Sequence, residues 1–480
     1  MQSSVSFVLD GQVVTLDFRN GSGVRPTTTV LQYLRSLPTH KGVKEGCAEG
    51  DCGACTVVLA EPAADSGLRY RAVDSCLLLL PMIHGKQLIT VENLHAPSGK
   101  LHPVQEALVR FHGSQCGYCT PGIVMSLFAL YKTPGMPSPE QIKDALVGNL
   151  CRCTGYRPIV DATRDACTHK GTDHFSEEES TTLRLLRELP QDSIVLQTDR
   201  QSYFRPSSMK EALALKRKHP GAPIIHGATD VALRVTKGYE VLDELIDLSG
   251  LEELRTVSDN GDSVFVGSGV SLTDLAPRIR ETFPALFEML AVFGSRQIRN
   301  LATLGGNLGT ASPIGDTLPV LLAYGAKVVL RSSHGEREVA LDVFFKGYRV
   351  TDRRGDELIR GVVIPKVPPG VRVSSFKVSK RKDLDISTLS AGFRLDLDGS
   401  RLVRDVVLAY GGMAEHVKRA VRTEGFLRGK PWTRETIQHA MPIVEKDFTP
   451  ISDVRGSAAF RSIAARNLLL KFWLETENRD

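Results

Sequence analysis

Residues 45–56 read Glu-Gly-Cys-Ala-Glu-Gly-Asp-Cys-Gly-Ala-Cys-Thr, and they decide what the first third of the chain must build. Cys47, Cys52 and Cys55 are interleaved with Gly46, Gly50 and Gly53, and a fourth cysteine, Cys76, follows at a distance. Thiols crowded into one glycine-rich turn have a local task, because glycine lets backbone N–H groups face sulfur and stabilise its charge. Regular elements are predicted on either side. Val5, Phe7 and Leu9 alternate before Asp10-Gly11, and Val14, Leu16 and Phe18 alternate after it, which signals a hairpin. A helix from about Thr29, with Val30, Leu31, Leu34 and Leu37 at helical spacing, and a strand from Thr56 to Leu59 complete a small α+β unit ending near residue 95.

The spacing of this first set, C-x4-C-x2-C-x20-C, is the plant-type [2Fe–2S] signature. Zinc sites pair two short hairpins instead, so a three-cysteine loop plus one distant cysteine fits zinc poorly. A second set, Cys116, Cys119, Cys151 and Cys153, lies in 113–120 (GSQCGYCT) and 150–158 (LCRCTGYRP). Its C-x2-C-x31-C-x-C spacing is less specific and leaves zinc a competitor, although C-x-C makes an awkward zinc hairpin. The ninth cysteine, Cys167, is read as a buried free thiol.

Composition narrows the class. With 480 residues, 42% hydrophobic and 24% charged, the chain is a multidomain globular protein. Sixty basic against 55 acidic residues leave a net charge of +5, with no basic block, so no nucleic-acid footprint is expected. No cysteine follows Cys167, which excludes a disulfide-stapled scaffold. The start MQSSVSFVLDGQ has no basic region and no apolar core, and the longest apolar run, LLLLPMI, is too short for a bilayer. A cytoplasmic protein with no membrane attachment is expected.

Farther along, helices are expected from His102 to Phe111, from a Thr120-Pro121 start with Thr120 as N-cap, and from Ser138-Pro139-Glu140. The polar stretch 169–197 reads as a linker. From about Tyr203 the pattern is mixed α/β, with a strand from Ala222 to His226. From about 370 a strand-and-helix module with two amphipathic helices is expected. Gly267-Ser268-Gly269 starts like a dinucleotide-binding fingerprint but lacks its third glycine.

These residues resemble a known family. EGCAEGDCGACTV, GSQCGYCTPGIVMSL and GNLCRCTGYRPIVDA are similar to the two iron–sulfur domains of the xanthine dehydrogenase / aldehyde oxidase family of molybdenum hydroxylases. FRPSSMKEALAL, FGSRQIRNLATLGGNLGTASPIGDTLPVLLAYGA and KRKDLDISTLSAGF resemble its flavin domain. The resemblance implies a multidomain α+β chain in five parts. These are a plant-type ferredoxin-like β-grasp domain at 1–95, a helical-bundle [2Fe–2S] domain at 96–168, the linker at 169–197, an α/β FAD-binding domain of the vanillyl-alcohol-oxidase/molybdenum-hydroxylase flavoprotein type at 198–368, and a C-terminal α+β flavoprotein domain of the CO dehydrogenase type at 369–480.

Two [2Fe–2S] clusters follow from it, on Cys47, Cys52, Cys55 and Cys76 and on Cys116, Cys119, Cys151 and Cys153. The second would be nearer the molybdenum cofactor, with Gln115 beside the pterin. For FAD, Ile224, Gly227, Ala228, Thr229 and Asp230 would line the diphosphate; some relatives carry asparagine or glycine at the Ala228 position. Thr303, Gly306, Asn307, Thr310, Ser312 and Asp316 would bind phosphate, ribitol and ribose oxygens. Phe293, Ile359, Lys377 and the Asp385-Ile386 pair would lie by the ring. No residue of this chain would be an acid–base catalyst.

Iron–sulfur before flavin on one chain is similar to the small subunit of the two-chain xanthine dehydrogenases. The implied activity is electron transfer from molybdopterin on a partner large subunit, in an (αβ)2 heterotetramer, through both clusters to FAD and NAD⁺, oxidising hypoxanthine and xanthine to urate in purine catabolism. A hydroxylase of aldehydes or other N-heterocycles is the alternative. A zinc-binding interaction module fused to a nucleotide-binding domain is the alternative from another class.

Overall fold

The computed structural model describes residues 2–19, 23–63 and 67–477. They fall into two compact units, residues 1–251 with 295–302 and residues 252–294 with 303–480.

The first unit opens with the expected hairpin. Strand Ser4–Leu9 pairs with Gln12–Asp17, and Asp10 and Gly11 both take positive φ, 53° and 71°. That is the turn whose twist matches the strands. Ser4–Leu9 also runs parallel to Gln87–Ile89, which continues through Thr56–Pro62 to Leu68–Asp74 in a five-stranded sheet. Helix Val30–Ser36 starts where its sequence says it must. The Thr29 hydroxyl accepts from the Gln32 N–H at 3.1 Å, and the Gln32 side chain accepts from the Thr29 N–H at 3.0 Å. Phe7, Leu31, Leu34, Val57 and Leu77 form its core, with Ile194, Leu196 and Tyr203 in the same cluster.

Four helices follow: Pro103–Arg110, Thr120–Tyr131, Pro139–Leu146 and Arg157–Thr168. Thr120–Tyr131 is apolar on every side and its residues are buried from Gly122 onward, so it is the centre of this bundle. Cys167 is buried in the same core. Ser138 caps its helix as expected. Thr120 does not: Cys119 takes the N-cap position and Thr120 is the first helical residue, its hydroxyl 2.6 Å from that of Ser114. The helix therefore begins directly at a cysteine of the second set.

The stretch 169–197 differs from a linker. It forms helices His174–Glu177 and Glu179–Glu188, and Phe175 packs against Phe128 with ring centroids 4.9 Å apart. Asp173 makes the anchor, accepting from Lys132 Nζ at 2.9 Å and lying 3.0 Å from His102 Nε2. A few buried contacts hold a segment whose composition is polar. A second sheet in this unit orders Ile194–Gln197, Ser202–Arg205, Glu244–Asp247 and Ile224–Ile225. The last is only two residues long, shorter than the strand expected from Ala222 to His226.

The second unit holds an antiparallel sheet of Val257–Asp259, Ser263–Gly267, Leu358–Pro365, Lys327–Ser332 and Gly335–Ala340. Another antiparallel sheet, Arg372–Val378, Leu389–Leu397, Val403–Gly411 and Lys418–Arg419, carries the C-terminal module. Three helices, not two, complete it: Val421–Leu427, Arg434–Asp447 and Ala458–Glu477. Helix Thr317–Ala323 packs on this sheet through Gly392, where an added Cβ would meet the Pro319 carbonyl oxygen at 2.3 Å. The chain is thus a multidomain α+β protein, and no helix among the described residues is long and apolar enough to cross a membrane.

The Asp173 anchor predicts a pH dependence. Burial opposes the Asp173 charge, but His102 and Lys132 outweigh it and hold the carboxyl well below its usual range. Burial also pushes the His102 imidazole down, against the opposing pull of the Asp173 carboxylate. Both shifts give stability that is complete above the unfolded values and is lost on acidification, from about pH 6.5 for His102 and below about pH 4 for Asp173. Asp173→Asn takes the carboxylate from Lys132 and leaves its ammonium only the Ser176 hydroxyl and the Tyr70 ring. Urea unfolding at neutral pH should show a loss of about 3 kcal/mol, shrinking toward pH 3; an unchanged midpoint would remove the anchor.

Candidate functional site

The loop 44–55 is shaped by backbone that side chains would obstruct. Ala48, Gly50 and Gly53 all take positive φ. At Gly46 an added Cβ would stand 2.7 Å from Cys52 Sγ; at Gly53 it would meet the Gly148 carbonyl oxygen at 2.2 Å. Cys47 Sγ accepts from the N–H groups of Glu49 and Asp51, at 3.4 and 3.3 Å. Those bonds are what a thiolate requires of its surroundings. The hydrogen shared with Cys52 does most to hold the Cys47 thiol down, to about 5, and pushes Cys52 up. Cys55 and Cys76 are buried and share a hydrogen likewise, which with burial pushes Cys55 up.

The second set also pairs. Burial first, and then the hydrogen shared with Cys151, pushes Cys119 up to about 12. Cys153 is pushed up by Cys116. Burial opposes the Cys151 thiolate, but the Thr154 hydroxyl, 3.1 Å away, helps bring its net shift below the ordinary value. Cys116 and Cys153 are exposed, as is Gln115. Among the described residues no three His, Cys, Asp or Glu side chains gather as a site for a single ion. The cysteines stand two by two instead, and two thiolates per iron is the donor arrangement of a two-iron cluster. The donor set fits.

A buried polar network ties the two sets together, and sequence reasoning missed it. Asn149 Nδ2 donates to the Gly53 carbonyl at 3.0 Å and to Thr56 Oγ1 at 3.1 Å. Asn149 Oδ1 accepts from Ser126 Oγ at 2.6 Å and from Gln297 Nε2 at 2.8 Å. The N–H of Leu150, next to Cys151, donates to the Cys52 carbonyl at 3.0 Å. Lys237 Nζ reaches the Cys47 carbonyl at 3.2 Å. Asp74, buried beside Cys55, was also missed.

The candidate flavin residues divide between the units. In the first, the turn after Ile224–Ile225 brings Gly227 against Leu301, whose carbonyl oxygen would lie 1.8 Å from an added Cβ. Ala228 has φ 58°, the left-handed region that favours glycine or asparagine. Helix Val231–Thr236 follows, with Thr229 and Asp230 half-buried before it.

In the second unit, residues Leu304–Thr310 form a helix. The Thr303 hydroxyl caps it, accepting from Gly306 N–H at 3.0 Å. Gly305 lies on Ser268, with 2.3 Å from an added Cβ to Ser268 Cβ, while an added Cβ at Gly306 would meet only Thr303 Oγ1. Asn307 Oδ1 accepts from Thr317 Oγ1 at 2.6 Å. Thr310, Ser312 and Phe293 are half-buried, and Ile359 is buried against this helix near Gly309. Lys377 is no solvated strand lysine: its side chain is 6% exposed, and its ammonium donates to Asp316 Oδ2 at 2.8 Å and to the Val292 carbonyl at 3.0 Å. Ser387, not foreseen, donates to Asp316 Oδ1 at 2.6 Å. Asp385 pairs with Arg381, and Ile386 is exposed. An open cleft of about 440 Å³ beside Lys377 is lined by Glu288, Val292, Ser379 and Lys382. In the first unit the side-chain-free turn at Gly227, and separately in the second unit the capped helix and the buried lysine, are each of a kind that suits a dinucleotide, so each set by itself fits FAD.

Comparison with known proteins agrees. The FAD binding domain in molybdopterin dehydrogenase matches residues 197–367, the CO dehydrogenase flavoprotein C-terminal domain matches 374–476, and a [2Fe-2S] binding domain matches 90–164. The chain carries the iron–sulfur and FAD modules of the molybdenum hydroxylase family. Among its relatives are the xanthine dehydrogenases of Emericella nidulans, 34% identical over 98% of this chain and 38% of the relative, and Drosophila subobscura, 32% identical over 99% and 39%. Aldehyde oxidase 4 of Cavia porcellus is 32% identical over 98% and 40%. The chain thus spans about two fifths of these relatives' length. Quinoline 2-oxidoreductase of Pseudomonas putida 86 superposes with a TM-score of 0.53 at 27% identity, over 58% of this chain and 98% of that one. Carbon monoxide dehydrogenase of Hydrogenophaga pseudoflava gives 0.54 at 25%, over 57% and 96%.

Gly53→Ala should force the Gly148 carbonyl away and open the first set. Iron analysis is predicted to fall by roughly half, with the second cluster's signal retained; full iron content would show that the loop tolerates a side chain.

Proposed function

We propose that this chain is the electron-transfer subunit of a xanthine dehydrogenase. The observation that carries the reading is the similarity to xanthine dehydrogenases along 98–99% of the chain. Cys47, Cys52, Cys55 and Cys76 would hold one [2Fe–2S] cluster, and Cys116, Cys119, Cys151 and Cys153 the other. When bound, the clusters and FAD would carry electrons from a molybdenum centre to NAD⁺, one at a time through iron and as a hydride from the flavin. The chain's own part is to hold and insulate. The Gly53 loop excludes water from Cys55 and Cys76, and the Lys377 ammonium would offset negative charge on a bound flavin. Gly227, Ala228, Thr229 and Asp230 would present backbone N–H groups to the diphosphate.

We place molybdopterin on a partner large subunit. The carbon monoxide dehydrogenase chain supports such division of parts: 96% of its length matches only 57% of this chain. An (αβ)2 assembly and a cytoplasmic location belong to the same proposal. A second reading has its own support, since the aldehyde oxidase relative is as similar as the insect xanthine dehydrogenase and quinoline 2-oxidoreductase shares the fold. Steady-state turnover of the assembled complex on hypoxanthine, xanthine, aldehydes and quinoline, with NAD⁺ and O₂ as acceptors, separates the two. Xanthine with NAD⁺ should be preferred; preference for an aldehyde would overturn the reading.

Cys116→Ser in that complex should abolish xanthine-to-NAD⁺ turnover while leaving NADH-dependent dye reduction in place. Unchanged turnover would contradict a relay through the second set.

A further inference from the structure

Arg461, on helix Ala458–Glu477, is 1% exposed. A buried guanidinium is tolerated only where its N–H groups find acceptors. Nη2 donates to Asp453 Oδ1 at 2.7 Å. Nη1 donates to the Gly412 carbonyl at 2.9 Å and also to the Thr388 carbonyl. Nε is buried without a partner. Stability alone gives little reason for such a residue, since an apolar side chain of similar volume is often as good at a buried charged position.

What sets Arg461 apart is where its two carbonyls lead. Thr388 follows Ser387, whose hydroxyl donates to Asp316 Oδ1. The N–H of Gly412 donates to the Pro313 carbonyl at 2.7 Å. Pro313 and Asp316 close the segment 303–316, and Asp316 in turn holds the Lys377 ammonium. The junction has no slack: at Gly412, where φ is 81°, an added Cβ would lie 2.6 Å from the Thr388 carbonyl oxygen and 2.9 Å from Arg461 Nη1.

We infer that Arg461 is a positioning residue of the flavin site, gripping Thr388 and Gly412 so that Ser387 and the Gly412 N–H fix Asp316 and the Pro313 turn beneath Lys377. The inference rests on the reading of Asp316 and Lys377 as flavin contacts. It assigns to a helix of the C-terminal module a role in FAD affinity. Lysine cannot replace the planar fork, because a single ammonium does not reach three acceptors in that geometry.

The test uses the full chain, stripped of flavin and titrated with FAD, with iron content and thermal unfolding measured in parallel. Arg461→Lys and Arg461→Met should retain iron, bind FAD at least about tenfold more weakly, and alter the absorbance spectrum of the bound flavin. Ser387→Ala, a single-hydroxyl deletion that spares the core, should weaken FAD in the same direction. In its background Arg461→Lys should add much less than it does alone. Lowered thermal stability with unchanged FAD affinity and spectrum in the Arg461 variants, unchanged affinity in Ser387→Ala, or full multiplication of the two losses would each overturn the inference. Asp316→Ala distinguishes the levels: unchanged FAD affinity there would overturn the site reading itself, whereas loss there with neutral Arg461 variants would overturn only the role of Arg461.

Discussion

The carbonyl of Gly53 is the point on which the iron–sulfur half turns. It accepts from the Thr56 N–H and hydroxyl, at 3.1 and 2.7 Å, and from Asn149 Nδ2 at 3.0 Å. It is also pressed against Gly122, where an added Cβ would stand 2.1 Å from it. One backbone oxygen between Cys52 and Cys55 therefore fixes three things at once. These are the start of strand Thr56–Pro62, the seat of the helix that begins at Cys119, and the segment leading into Cys151 and Cys153. Two glycines make that approach possible, and a buried amide satisfies the oxygen that water cannot reach. Gln297 supports the amide from a segment distant in sequence.

The flavin candidates follow a different physical logic. Sulfur ligands must converge on iron, so the residues between them, Ala48, Gly50 and Gly53, take positive φ. A dinucleotide needs instead a surface of N–H groups and oxygens held still. Here stillness comes from internal satisfaction: Thr303 caps its own helix, Asn307 holds Thr317, and Asp316 binds Lys377 and Ser387. The Lys377–Asp316 pair is almost fully buried, where a charge is tolerated only with its partner. Order in these groups before binding lowers the entropy that binding must overcome.

Much of this was legible in the residues. Cysteine spacing is a local pattern, and so are the Asp10-Gly11 turn and the caps Thr29 and Ser138, because each depends on residues within a few positions. The family resemblance supplied the flavin segments. What could not be read depends on partners far apart in the chain. The stretch 169–197 looked unstructured because Asp173 and Phe175 draw their contacts from His102, Lys132 and Phe128. The Thr120 hydroxyl looked like a cap, but a cysteine of the second set occupies that position. Glycine is a poor helix former, yet Leu304–Thr310 is a helix, because close packing of Gly305 on Ser268 and the Thr303 cap override that propensity. Gln297, Ser387 and Arg461 carry no local signature at all.

Eight cysteines in two sets call for two separate [2Fe–2S] clusters. Electron paramagnetic resonance of the dithionite-reduced chain would resolve them. Two distinct signals are predicted, one removed by Cys52→Ser and the other by Cys151→Ser. A silent spectrum from protein that carries zinc and no acid-labile sulfide would contradict the two-cluster assignment.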